Sequence, residues 1–144
     1  MLEKFRERRN EESGFTLVEL LVVMLILGIL AAIAIPAFFS QRDKGYDSDA
    51  KANARTTQTA METFYIDKDG TYVGADDDAA PSDPNSLQAI EGTISDFAAD
   101  VEVSGTSTSG YTVTATSKSG NTYVITRNSD GSVDQTCTGD GCKW

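Results

Sequence analysis

The sequence contains no histidine, so the commonest neutral-pH acid/base and the commonest metal ligand are both missing. It holds only two cysteines, too few for a four-ligand zinc site unless carboxylates or a second chain contribute. Positive charge is also short: 12 Lys+Arg stand against 22 Asp+Glu, a net charge of -10. A surface of that sign repels phosphates, which makes direct nucleic-acid binding by this chain unexpected. No serine has a histidine to activate it, no phosphate-binding loop occurs, and the acidic pairs fall in turn-like segments. The expectation is a non-enzyme with no catalytic residues, no cofactor and no metal. Internal repeats are absent too.

What is present is unevenly spread. The 144 residues give room for one modest domain. Met1 to Gly14 is crowded with charge, Lys4, Arg6, Arg8 and Arg9 cancelling Glu3, Glu7, Glu11 and Glu12. Leu20 to Phe39 is then an apolar run of 20 residues with no charge inside it. At a rise of about 1.5 Å per residue, such a helix covers about 30 Å, the hydrocarbon thickness of a bilayer. A soluble core helix would carry one polar face, and this segment carries none. Three readings compete: a signal peptide, a plain membrane anchor, and an anchor that later becomes a packing element. A signal peptide wants a net-positive start and an apolar stretch of about 7–15 residues. Here the start is neutral and the run is longer, although Ala32-Ile33-Ala34 passes as a cleavage motif and keeps that reading open. A plain anchor explains the length of the run and not the residues flanking it.

Glu19 is the only charge between Ser13 and Gln41, at the very edge of the apolar block. A carboxylate inside a bilayer costs about 2.5–3.5 kcal/mol on insertion scales, so it has a partner, a role, or a place in the hydrated headgroups. Taken as a unit, Ser13-Gly14-Phe15-Thr16-Leu17-Val18-Glu19-Leu20-Leu21 resembles the prepilin family, the type IV pilins and their secretion-system relatives. The likeness is specific from Ser13 to about Phe39 and fades after Ile66.

The resemblance implies a leader, residues 1–14, removed by a membrane aspartyl prepilin peptidase that cuts between Gly14 and Phe15. It implies N-methylation of the new terminus at Phe15 and places Glu19 fifth in the mature protein, where the family has its glutamate. Physically, a cut before the apolar run leaves an exported head attached to its own greasy helix, which leaves the membrane only if other apolar surface receives it. The Phe15 amine and the Glu19 carboxylate pair between neighbouring subunits in this reading, where low dielectric strengthens the attraction. Stranding one partner of such a pair commonly costs about 3–5 kcal/mol. Pro36 cannot donate to the carbonyl of Ala32, so the helix is expected to bend or loosen there, and Gly28 weakens it further by about 1 kcal/mol relative to Ala. The resemblance adds that this segment unwinds when subunits enter a filament.

Beyond the apolar run the helix is expected to continue to about Ile66. Tyr46, Ala50, Asn53, Thr57, Met61 and Phe64 form a stripe at spacings of four and three. Asp67-Lys68-Asp69-Gly70 supplies the stop, and residues 75–84 read as an exposed loop. A short helical turn is expected at Ser86 to Glu91. Alternation marks strands at Tyr111 to Thr116 and Thr122 to Thr126, with edge strands at Val101 to Ser104 and Ser132 to Thr136. The expected fold is α+β: a long N-terminal helix, half membrane or filament core and half packed on a small antiparallel sheet. Its divisions are the leader 1–14, the hydrophobic helix 15–41 and a globular head 42–144.

Cys137 and Cys142 flank Thr138-Gly139-Asp140-Gly141. In an exported head the expected state is a disulfide, worth about 2 kcal/mol in the chain-entropy model. A thioredoxin-like pair wants two intervening residues and finds four, and the resembled family often carries a C-terminal disulfide loop. Asp67-x-Asp69-Gly70 and Asn128-x-Asp130-Gly131-Ser132-x-Asp134 space oxygens as calcium loops do, without the full EF-hand pattern or its terminal Glu.

The function the resemblance implies is that of a structural subunit of a type IV pilus, serving adhesion, motility or DNA uptake. The alternative is a secretion pseudopilin in a short piston-like filament. Implied partners are copies of itself, the prepilin peptidase, an assembly platform and its ATPase. The implied location is the inner membrane as a single-pass precursor, then a cell-surface fimbrium.

Overall fold

The computed structural model describes residues 15–75 and 86–144. The expected leader, including Gly14, and nearly all of the expected loop at 75–84 lie outside the described residues. The chain divides into two compact units, Met1–Ser40 and Gln41–Trp144.

Helix α1 spans Leu17–Asp67, 51 residues, and runs without interruption through Gly28 and Pro36. It stops where its sequence stops favouring it. Asp69 and Gly70 take positive φ of 54° and 83°, a region that glycine enters freely and aspartate tolerates. The last carbonyls are met by Lys68 N–H on Phe64 O and Gly70 N–H on Tyr65 O, both at 2.9 Å.

The Gln41–Trp144 unit is an α+β head. Helix α2 (Leu87–Ile90) is capped by Ser86, whose hydroxyl accepts from Gln88 N at 3.1 Å. Two 3-10 segments, Gly92–Asp96 and Ala98–Asp100, lead into the sheet. Strands β1 (Val101–Ser104), β2 (Tyr111–Thr116), β3 (Thr122–Arg127) and β4 (Val133–Thr138) form an antiparallel meander in the order β1-β2-β3-β4. Val103 pairs with Val113, Ala115 with Tyr123, and Tyr123 with Cys137. Gly120, at φ 95°, closes the β2–β3 turn, where Ser117 N–H donates to Asn121 O at 2.7 Å.

Period-two alternation decides which face is inside. Tyr111, Val113, Ala115, Tyr123 and Ile125 are buried, while Thr112, Thr114, Thr122, Val124 and Thr126 between them are partly exposed. The buried set meets Ala50, Ala54, Thr57, Ala60, Met61 and Phe64 of α1, with Tyr72, Leu87 and Ile94 completing the core. The expected stripe needs correcting in two places. Tyr46 and Asn53 are only half-buried and line a groove with Phe97 and Asp100, and Ala54 and Ala60 take the inward places. A four-residue step from Ala50 reaches Ala54, and a buried asparagine at 53 would need partners that alanine does not.

Two carboxylates of α1 bind the helix to the sheet. Glu62 accepts Tyr72 Oη at 2.9 Å and Tyr111 Oη at 2.8 Å, and pairs with Arg127 Nη1 at 3.4 Å. Asp47 accepts the Ser119 hydroxyl and Asn121 Nδ2, the latter at 3.0 Å. Burial pushes Asp47 upward, but the hydrogen bonds from Ser119 and Asn121 outweigh it and hold the carboxyl below its ordinary value. For Tyr72, burial first and the Glu62 hydrogen bond second push the phenol up to about 12. Tyr111 is raised by the same causes in the same order.

A phenol held neutral in the fold contributes stability that is complete below the unfolded pKa, about 10, and is lost as pH rises through the folded value. The head should therefore hold its stability up to about pH 10 and lose it progressively toward pH 12, followed by circular dichroism in denaturant. Tyr72→Phe should be about 1 kcal/mol less stable at neutral pH and show a shallower alkaline loss. An identical alkaline loss in that variant would remove Tyr72 from the account.

Candidate functional site

The first turn of α1 is built by Thr16-Leu17-Val18-Glu19. A helix start leaves backbone N–H groups without intrahelical partners, and here two of them are met reciprocally. Glu19 N–H donates to Thr16 Oγ1 at 3.2 Å, and Thr16 N–H donates to Glu19 Oε2 at 2.9 Å. The Thr16 hydroxyl also donates to Glu19 Oε2, at 2.9 Å. This is a capping box, a threonine followed three residues later by a glutamate. The carboxylate sits where the helix dipole favours negative charge. The Thr16-x-x-Glu19 spacing is itself a capping-box signature in the sequence, a local role separate from the assembly role expected of Glu19.

C-terminal to the cap the helix is apolar on every side. From Leu17 to Phe39, sixteen large apolar side chains are exposed, none by less than 46%, and Phe15 before them is 82% exposed. Among the described residues this is the one helix long and apolar enough to cross a membrane. At about 1.5 kcal/mol or more per large apolar side chain, sheathing these residues is worth on the order of 20 kcal/mol. That exceeds the net stability of a typical domain, about 5–15 kcal/mol, so the segment demands apolar surroundings from outside the single chain. Within it Gly28 has open space where a side chain would stand.

The other expected site residues sit elsewhere. Cys137 and Cys142 form a disulfide in the head, Cα to Cα 6.1 Å. In the turn between β3 and β4 the oxygens spaced like a calcium loop are engaged with each other. Asn128 Nδ2 donates to Asp134 Oδ2 at 2.7 Å, and Asp130 Oδ1 accepts Ser132 N–H at 2.8 Å and the Ser132 hydroxyl at 2.6 Å. The Ser132 hydrogen bonds hold Asp130 below its ordinary carboxylate value. Among the described residues no group of three acidic, cysteine or histidine side chains is placed to hold a metal ion.

A capped first turn followed by a helical segment apolar on every side as far as Phe39 defines a class of protein with one helix long and apolar enough to cross a membrane. Comparison with known proteins shows what that segment is similar to. The model of the prokaryotic N-terminal methylation motif matches residues 9–35. The chain is 48% identical over 56 residues to the type IV major pilin protein PilA of Myxococcus xanthus, covering 39% of this chain and 26% of that protein. It is 34% identical over 103 residues to the fimbrial protein EcpC of Eikenella corrodens, covering 71% and 61%. It is also 38% identical over 60 residues to the type II secretion system core protein G of Pseudomonas aeruginosa, covering 42% of each. No solved structure matches the chain. The matched stretches span less than two thirds of these relatives' own lengths. Through its N-terminal segment the chain is similar to type IV pilins and to a secretion core protein alike.

The cap has a direct test. Thr16→Val removes the hydroxyl at nearly constant shape and should weaken the first turn by about 1 kcal/mol. Amide exchange of residues 16–20 in detergent micelles should speed up accordingly, and Thr16→Ser should restore protection. Equal protection in the valine variant would show that the box does not hold the turn.

Proposed function

We propose that the chain is the structural subunit of a type IV pilus. It is made as a membrane-anchored prepilin, cut after Gly14, N-methylated at Phe15 and polymerised through residues 15–41, with 42–144 as the outward head. The observation that carries this reading is the exposed apolar surface from Leu20 to Phe39, which among the described residues stands uncovered. A membrane supplies the missing surroundings before assembly, and neighbouring copies of the same helix supply them afterwards. The relatives named as pilins and fimbrial proteins support the filament. The inner membrane, the prepilin peptidase, the assembly platform and its ATPase complete the proposal, and no catalytic step belongs to it.

In this reading Glu19 sets the register of assembly. The described hydrogen bonds to its carboxylate both fall on Oε2, which leaves Oε1 to meet the Phe15 amine of a neighbour. Gly28 and Pro36 are the positions where the helix gives when the filament forms or stretches. A pseudopilin in a short secretion filament is the second reading, favoured by the likeness to the secretion core protein G.

Glu19→Ala as sole subunit should be processed and inserted normally, yet yield at least tenfold less sheared filament, since a stranded buried amine costs about 3–5 kcal/mol. Glu19→Gln, which keeps an acceptor for Thr16 and removes the charge, should fail in the same way. Normal filament yield from either variant would remove Glu19 from assembly.

A further inference from the structure

In an Asp-Gly pair a protein chain readily attacks itself. The glycine nitrogen, with no side chain beside it, closes on the aspartate carboxyl to give a five-membered succinimide. The sequence holds three such pairs, Asp69-Gly70, Asp130-Gly131 and Asp140-Gly141. All three aspartates are exposed, and all three glycines take positive φ, 83°, 88° and 62° in chain order. Exposure and backbone conformation therefore do not separate them. Hydrogen bonding does.

In the first two pairs the nitrogen that would attack is engaged. Gly70 N–H donates to Tyr65 O at 2.9 Å where α1 stops, and Gly131 N–H donates to Asn128 O at 3.0 Å in the β3–β4 turn. Asp130 is held at its other reacting group as well, since Oδ1 accepts both the N–H and the hydroxyl of Ser132. Those bonds favour the ionised carboxyl, and the neutral acid is the form that loses water. Asp140-Gly141 differs on each count. Neither the Asp140 carboxyl nor the Gly141 N–H has a hydrogen-bond partner among the described residues. The main-chain oxygen of Asp140 accepts Nδ2 of the buried Asn121 at 3.4 Å. Across a planar trans peptide the C=O and N–H point opposite ways, so a carbonyl turned in toward Asn121 turns the Gly141 N–H out toward solvent. Gly141 itself stands in open space.

We propose that Asp140 is a site of spontaneous isoaspartate formation, the one Asp-Gly pair that the fold leaves free to react. Gly141 N attacks Asp140 Cγ: the N–Cγ bond forms, the bond from Cγ to its hydroxyl breaks, and that hydroxyl leaves with the amide proton as water. Water then adds to one of the two imide carbonyls. Opening at the main-chain carbonyl breaks its bond to Gly141 N and routes the chain through Cβ and Cγ, which is isoaspartate. Opening at Cγ restores aspartate. One water leaves and one enters, so mass is unchanged and no further reactant is needed. The main chain gains one methylene inside the ring closed by Cys137 and Cys142, and the former main-chain carbonyl becomes the free carboxylate. This inference does not depend on the filament reading.

The test ages the full, oxidised chain in detergent micelles at neutral pH and maps isoaspartate residue by residue. Electron-transfer fragmentation of its peptides locates the product, and methyl uptake from an isoaspartyl carboxyl methyltransferase measures it. Isoaspartate should build up at Asp140 about fivefold faster, or more, than at Asp69 or Asp130, the difference that one net hydrogen bond supplies. In denaturant the three should react at similar rates, because the same dipeptide is then equally free. Asp140→Glu, whose side chain would need a six-membered ring, should lose most of the methyl uptake while the head stays folded by circular dichroism. Isoaspartate at Asp69 or Asp130 as fast as at Asp140 in the folded chain, or none at Asp140, would overturn the assignment. So would a lead of Asp140 that persists in denaturant, which would trace the preference to neighbouring sequence and not to the fold.

Discussion

Solvation of residues 17–39 is the constraint on which everything else in this chain depends. Among the described residues that surface stands exposed, and leaving it in water costs more than a small domain's net stability. In the proposed function the chain has two homes, a bilayer and a bundle of like helices, and passage between them is a transfer from one apolar medium to another. A polar helix end would resist that transfer. The Thr16–Glu19 box eases it by meeting the first amides and the carboxylate within a single turn.

The head answers a different problem. At roughly a hundred residues its core is modest, and it relies on polar fasteners placed where helix meets sheet. Glu62 receives two phenols and a guanidinium, and Asp47 receives a hydroxyl and an amide. Each acceptor stays partly wet, so neither carries the desolvation cost of a fully buried charge. Both hold the helix in one register against the sheet, because a slip of one residue would strand their donors.

Much of this was legible in the sequence. The helix was expected from Phe15 to about Ile66 and runs Leu17–Asp67, and the two strands marked by alternation and the two expected edge strands all form, to within two residues at the ends. Apolar spacing, alternation and turn residues are local signals, and local signals survive folding. The stripe of α1 was read one residue out at Asn53, since a 3.6-residue period leaves neighbouring positions nearly equivalent until a partner surface chooses between them. The Glu62 cluster was invisible because its members lie 10, 49 and 65 residues away in the chain, and only the meander brings them together. Trp144 was passed over for the same reason: it meets Arg55, Tyr123 and Thr136, which lie on three separate elements.

The central claim, that the apolar segment is kept and reused instead of discarded, is tested most directly at the N-terminus of the mature protein. Intact-mass and N-terminal analysis of material sheared from the surface of the source cells should find a chain that begins at methylated Phe15 and sediments as high-molecular-weight filament. A soluble, monomeric chain beginning after Ala34 would contradict it, because the segment would then be a signal peptide removed on export.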